Sequence, residues 1–156
     1  MVIVSRRLSR FCDMDKRSET KENLLSYEIR GAIFDVYNAL GPGLLESSYE
    51  AALMFELKDR GLLVKNQVEL PIFYKGNKLD MNYRMDIVVN DCVIVELKSV
   101  TELLPLHKKQ LYTYLKLANK HLGILVNFNC NKILDNIVRV VCNVNNDIGS
   151  YKLESD

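Results

Sequence analysis

From Leu25 onward apolar residues recur at helical spacing through Ile29, Ala32, Ile33, Val36 and Leu40, and Gly41-Pro42 follows. Residues three and four apart share a helix face, glycine suits a helix end and proline cannot continue one, so the pattern predicts a core helix ending near Leu40. Asp35 falls off this stripe and reads as solvated. A second helix is expected just after Gly43, turning Tyr49, Ala52, Leu53 and Leu57 inward and ending near Gly61. The period then changes to two. Val68, Leu70 and Ile72 alternate in a strand, Lys75-Gly76-Asn77-Lys78 reads as a turn, and two further strands are expected over about 82–89 and 93–98. These three read as an antiparallel meander. Pro105 suits the first turn of a third helix with Leu111, Leu115 and Ala118 inward, and the apolar run 123–128 predicts a strand buried on both faces. Strand, helix and strand in that order imply a right-handed parallel crossover. Residues 137–141 add one more short strand.

The ends of the chain lack such periods. Residues 1–22 mix Arg, Ser, Lys, Asp and Glu and are expected to form a flexible leader, with Met14 an alternative start, and the Asn-rich residues 143–156 are expected to form a tail. One domain, 23–142, remains. At 156 residues, 48% hydrophobic and 26% charged, the chain is long and apolar enough for a real core. A net charge of +1 excludes a global basic footprint, so contact with a polyanion needs a local patch. Cys12, Cys92, Cys130 and Cys142 show no zinc-ligand spacing and are expected to be reduced thiols. Met1-Val2-Ile3-Val4 is too short for a signal peptide, and no apolar run approaches the roughly 20 residues of a membrane span. A soluble cytoplasmic protein without membrane contact is expected.

Alternation along Val93-Ile94-Val95-Glu96-Leu97-Lys98 puts Glu96 and Lys98 on one face of a strand and Val93, Val95 and Leu97 on the other. A solvent-facing edge would explain the pair alone, but Asp86 interrupts the preceding apolar strand just before the turn. Register decides whether the two acids meet. A two-residue Asn90-Asp91 loop would pair Asp86 with Val95 and send Glu96 to the opposite face, whereas a loop of three or five residues, with an Asx residue in the left-handed region, would bring both acids to one face. Two adjacent carboxylates repel, and Lys98 offsets only part of their charge, so a divalent cation is the economical partner. Magnesium takes oxygen ligands and keeps waters that can attack a phosphodiester, with manganese as a substitute. Lys98 would orient such a water and stabilise charge on the phosphate.

Asp86 followed by Glu96-Leu97-Lys98 resembles the D…(D/E)-x-K signature of the PD-(D/E)XK nuclease superfamily, and Gly43-Leu44-Leu45-Glu46-Ser47-Ser48-Tyr49 resembles the motif of the GxxExxY family within it. Leu40-Gly41-Pro42-Gly43, Tyr83-Arg84-Met85-Asp86 and His107-x-x-Gln110-x-x-x-Tyr114-Leu115 are similar too, so the resemblance runs from about Leu25 to Phe128. It implies an α/β nuclease-like core, a mixed central sheet flanked by helices, with the acidic site on the central hairpin and Glu46 contributing from the preceding helix. Tyr37 stands where the family leads one to expect His.

The remaining candidates each have a plainer reading. Glu46 could simply be an acid favoured by the helix dipole, worth about 0.3–1 kcal/mol in a first turn; the motif makes it a third metal or water ligand. Tyr49 reads equally as a core residue. His107, Gln110 and Tyr114 fall on one stripe of the third helix, where Gln110 and Tyr114 would hold a phosphate or strand backbone. Lys108, Lys109, Lys116, Lys120 and His121 form the best local basic patch, with Lys109 the candidate substrate contact, although a solvated face would look the same. His107 and His121 lack a third partner for zinc. The expected activity is magnesium-dependent hydrolysis of DNA by Asp86, Glu96, Glu46 and Lys98. The alternative is a non-catalytic or partner-dependent module that binds nucleic acid or protein, as part of a complex or a homodimer.

Overall fold

The computed structural model describes residues 21–143. The expected leader and tail therefore lie outside the described residues, apart from Lys21, Glu22 and Asn143. Helix α1 (Lys21–Leu40) begins four residues before the apolar stripe and buries Leu25, Ile29, Ala32, Ile33 and Val36. It ends at Gly41, whose φ of 66° lets its N–H close on the Tyr37 carbonyl at 2.8 Å. Helix α2 (Glu46–Asp59) buries Tyr49, Leu53 and Leu57 beside it. Arg60 then joins the two helices, pairing with Glu28 at 3.3 Å, with Glu56 at 2.8 Å and with exposed Asp35.

Strands β1 (Val64–Tyr74), β2 (Asn77–Val89) and β3 (Val93–Lys98) form the expected meander, with β1 and β2 longer than their apolar cores suggested. Helix α3 (Pro105–Ala118) leads to β4 (Leu122–Asn127), and a 3-10 turn (Ile133–Asn136) leads to β5 (Ile137–Val141). The sheet order is β1-β2-β3-β4-β5, with β3 and β4 parallel and every other neighbour pair antiparallel. All six β4 residues are buried, as a strand covered on both faces requires.

Helices α1 and α2 cover one face of the sheet through Val93, Val95, Leu97, Ile124 and Val126. Helix α3 covers the other with Leu111, Tyr114 and Leu115 against Val88, Ile94 and Leu125. The Tyr114 side chain is thus buried, although its spacing had placed it on a polar stripe, because the tyrosine ring supplies apolar area that the sheet can cover. Ala118 is only half-buried at the helix end.

The β1-β2 hairpin changes face midway. Val64 and Ile87 pack toward α1 and α2, whereas Val68, Leu70 and Met85 pack toward α3. Unbroken alternation would keep Val64 and Val68 together. The reversal lies at Gln67, whose φ is 51°, opposite Asp86 in a register that pairs Asn66 with Ile87 and Val68 with Met85.

Candidate active site

The turn between β2 and β3 settles the register. Val89 pairs with Val93 and Ile87 with Val95, leaving a three-residue loop of Asn90, Asp91 and Cys92. Asn90 and Asp91 have φ of 50° and 52°, and the Cys92 N–H closes the turn on the Val89 carbonyl at 2.9 Å. Asn90 is held there because its Oδ1 accepts from the Leu63 N–H at 2.8 Å and its own N–H donates to the Leu63 carbonyl at 2.7 Å. Ladder pairing of β2 with β3 stops at Ile87 and Val95, and Asp86 and Glu96 stand one step beyond, where the strands separate.

Asp86 is half-buried, and its Oδ2 accepts the Leu97 N–H at 2.9 Å, filling a place in the interrupted ladder. Burial raises its pKa, opposed by that N–H and the Lys98 charge and helped by the negative charges of Glu46 and Glu50. Glu96 is 3% exposed on the α3 side of β3. Its Oε1 accepts from Lys98 Nζ at 2.7 Å, whereas its Oε2 is buried with no hydrogen-bond partner. Burial first, then the Asp86 charge, pushes its pKa up to about 7 against the pull of Lys98. For Lys98 burial acts downward, but Glu96, Glu46 and Asp86 together outweigh it and hold its pKa above the ordinary value.

The GxxExxY segment owes its form to the helix it starts. Gly43 has a φ of 102°, which glycine adopts without strain. The Tyr49 ring stacks on Phe128 with centroids 4.4 Å apart, and its hydroxyl donates to the Gly41 carbonyl at 2.6 Å and accepts from the Leu44 N–H at 3.1 Å. Tyr49 is therefore a core tyrosine that clamps the loop bringing Glu46 into the first turn of α2. Ser99 adds a tie from the end of β3, its hydroxyl donating to the Leu44 carbonyl at 2.7 Å. Buried Asn127 holds the following loop, accepting from the Val100 N–H at 3.0 Å and donating to the Val100 carbonyl at 2.8 Å.

Asp86, Glu96 and Lys98 are thus brought together, with Glu46 close enough for its charge to act on all three. Among the described residues no three His, Cys, Asp or Glu side chains are grouped so as to hold a metal ion, so Glu46 does not complete a three-ligand set with Asp86 and Glu96. Leu97 N–H occupies one Asp86 oxygen and Lys98 one Glu96 oxygen. The chemistry of the donors still fits a divalent cation, because Glu96 Oε2 is a buried acceptor with no hydrogen-bond partner among the described residues. Tyr114 joins the site from α3: burial raises its pKa, Glu96 adds to that, and Gln110 Nε2 donates to its hydroxyl at 2.7 Å. Lys109 does not join. It lies with Lys108, Tyr112 and Arg139 along a groove of about 560 Å³ between α3 and β5. Lys120 is held by the Asp91 carbonyl at 2.7 Å, and His121 Nδ1 lies 3.2 Å from the Cys142 carbonyl. His107 caps α3 through the Leu104 N–H at 3.1 Å.

Two neighbours escaped the sequence reading. Glu50, one turn after Glu46, accepts from Asn66 Nδ2 at 3.1 Å and Gln67 Nε2 at 2.6 Å, tying α2 to the hairpin reversal opposite Asp86. The spacing of four from Glu46 was a signal for Glu50, whereas nothing local marked Gln67. Among the described residues Cys92, Cys130 and Cys142 are free thiols, and no helix is long and apolar enough to cross a membrane. A family model described as the PD-(D/E)XK nuclease superfamily matches residues 23–140. Neither the curated proteins nor the solved structures gave a match.

Proposed function

Since this chain belongs to the PD-(D/E)XK nuclease superfamily, we propose that it is a magnesium-dependent phosphodiester hydrolase acting on DNA, with its site at the parting of β2 and β3. The observation that carries this reading is the buried Glu96 carboxylate, with one oxygen on Lys98 and the other unpartnered, beside the charge of Asp86. A buried carboxylate oxygen without a partner is completed by a proton, a water or a cation, and in this family setting we adopt the cation. Glu96 and Asp86 would hold the ion, and Glu46 would add negative charge from the helix start. Magnesium, or manganese in its place, would supply Lewis-acid polarisation of the phosphodiester when bound. Lys98 orients the attacking water and offsets the charge that gathers on the phosphate oxygens as the new P–O bond forms and the ester P–O bond breaks. Gln110 and Tyr114 would hold the strand backbone from α3. A cytoplasmic location accords with the free thiols of Cys92, Cys130 and Cys142.

A second reading, cleavage only in complex with a partner that recognises substrate, is favoured by the net charge of +1. Magnesium-supported cleavage of single- and double-stranded DNA, measured beside DNA affinity in one buffer of stated salt, separates the two. Asp86→Asn should abolish cleavage while DNA affinity holds or rises, because repulsion between acid and phosphate is relieved. Lys98→Ala should lower cleavage by about 100-fold or more with metal binding kept. A parent protein that cleaves nothing with magnesium or manganese, and whose DNA affinity neither substitution changes, would rule out catalysis by the isolated chain.

A further inference from the structure

Beyond the last ladder pair with β3, the β1-β2 hairpin continues as a two-stranded arm from Val68 to Arg84. Its inner end is anchored, since Leu70 and Met85 pack with Leu111, Tyr114 and Leu115 of α3. Among the described residues nothing covers the outer part. On β2, Met81 and Tyr83 share the face of Met85 by the two-residue period, yet they are 58% and 39% exposed, and Tyr74 at the tip is 52% exposed. The Tyr83 ring lies 5.4 Å from that of Tyr114, so this strip begins at the candidate site and runs outward from it. Lys75 Nζ sits 5.5 Å over the Tyr74 ring and makes no ion pair among the described residues, whereas Lys78 and Arg84 fall on the opposite face of the hairpin by the same period.

We propose that this hairpin arm is a platform for single-stranded nucleic acid, with bases stacking on Tyr74 and Tyr83 and the phosphate chain meeting Lys75 at the tip. The inference rests on the hydrolase reading for its direction, since a strand leaving the site past Tyr114 would run onto the arm. Exposed aromatic faces beside a cation suit unstacked bases and a phosphate chain, and a duplex hides its base faces. The outer edge, β1, is badly formed for a protein strand. Pro71 lacks an N–H, the ladder is irregular between Pro71 and Phe73, and Gln67 turns at a φ of 51°, three features that hinder edge-to-edge pairing with a second copy.

The test measures binding without metal, so that it stands apart from cleavage. The full chain in EDTA is titrated with fluorescein-labelled oligo(dT) of about 12 nucleotides, an abasic strand of equal length, and a duplex. Oligo(dT) should bind more tightly than either of the others. Tyr74→Ala and Tyr83→Ala should each weaken oligo(dT) by roughly 5- to 100-fold and leave the abasic strand unchanged. Tyr74→Phe and Tyr83→Phe should bind oligo(dT) like the parent, which separates lost stacking from lost folding. Lys75→Ala should weaken all three ligands alike and reduce the salt dependence. Equal affinity for the duplex, indifference of oligo(dT) to both alanine variants, or a dimer that sediments as monomer after Tyr74→Ala would overturn the proposal. Loss of cleavage with this binding pattern intact would count against the hydrolase reading alone.

Discussion

Tyr49 links a core contact to the placement of an acid. Its ring is buried against Phe128 while its hydroxyl bridges Gly41 and Leu44, the two sides of the loop before Glu46. Tyr49→Phe keeps the stack and removes both hydrogen bonds, leaving a carbonyl and an N–H to be satisfied otherwise. We expect a loss of about 1–2 kcal/mol, read as a lower urea midpoint with unchanged slope. An unchanged midpoint would mean that the loop holds itself. Glu96 shows the opposite case, a buried polar atom with nothing to satisfy it. Its presence in an apolar strand was plain from the sequence, whereas the unpartnered Oε2 was not, because satisfaction depends on what other elements bring near.

At the level of elements, the β2-β3 turn and the α3-β4 contact carry the geometry. The turn keeps Asp86 and Glu96 at facing positions through one extra residue, and the sequence narrowed this to a loop of odd length without choosing between three and five. Asn90 decided for three by bonding Leu63, a partner 27 residues away in the chain. In the α3-β4 contact, a Cβ added at Gly123 would meet the Leu111 side chain at 2.9 Å, and Leu111 is fully buried. Gly123→Ala should therefore push α3 away from β4 and cost about 1–3 kcal/mol through overpacking. Because α3 also carries Tyr114, the variant should lose substrate affinity along with thermal stability. Should its melting temperature match or exceed the parent's, Leu111 has room to move and the packing argument fails.

Taken whole, the molecule concentrates acids at one end of its sheet, and its stability should report their protonation. The Glu96 pKa is raised from 4.5 to about 7 on folding, so the folded state holds a proton more tightly than the unfolded chain. The stabilisation is complete below about 4.5 and is lost as pH rises through about 7, with Asp86 acting in the same direction. Lys98, raised above 10.5, changes nothing in that window. In EDTA the unfolding free energy should fall by up to about 1.4 kcal/mol per pH unit across the interval for Glu96 alone. Magnesium binds the charged carboxylates, so it should raise the melting temperature more at pH 8 than at pH 5. A metal effect that is equal at both pH values would argue that these acids are not its ligands. Apolar periods in the chain were enough to anticipate the three helices, the five strands and the mixed sheet of the described residues, because local spacing dictates which face of an element is apolar, whereas Glu46 was singled out only by the resemblance of its motif. The face reversal at Gln67, the burial of Tyr114, the turning of Lys109 toward β5 and the tie from Glu50 to Gln67 were decided only by the tertiary structure. Each depends on which distant element lies alongside, and a one-dimensional pattern records the face of an element but not its neighbour.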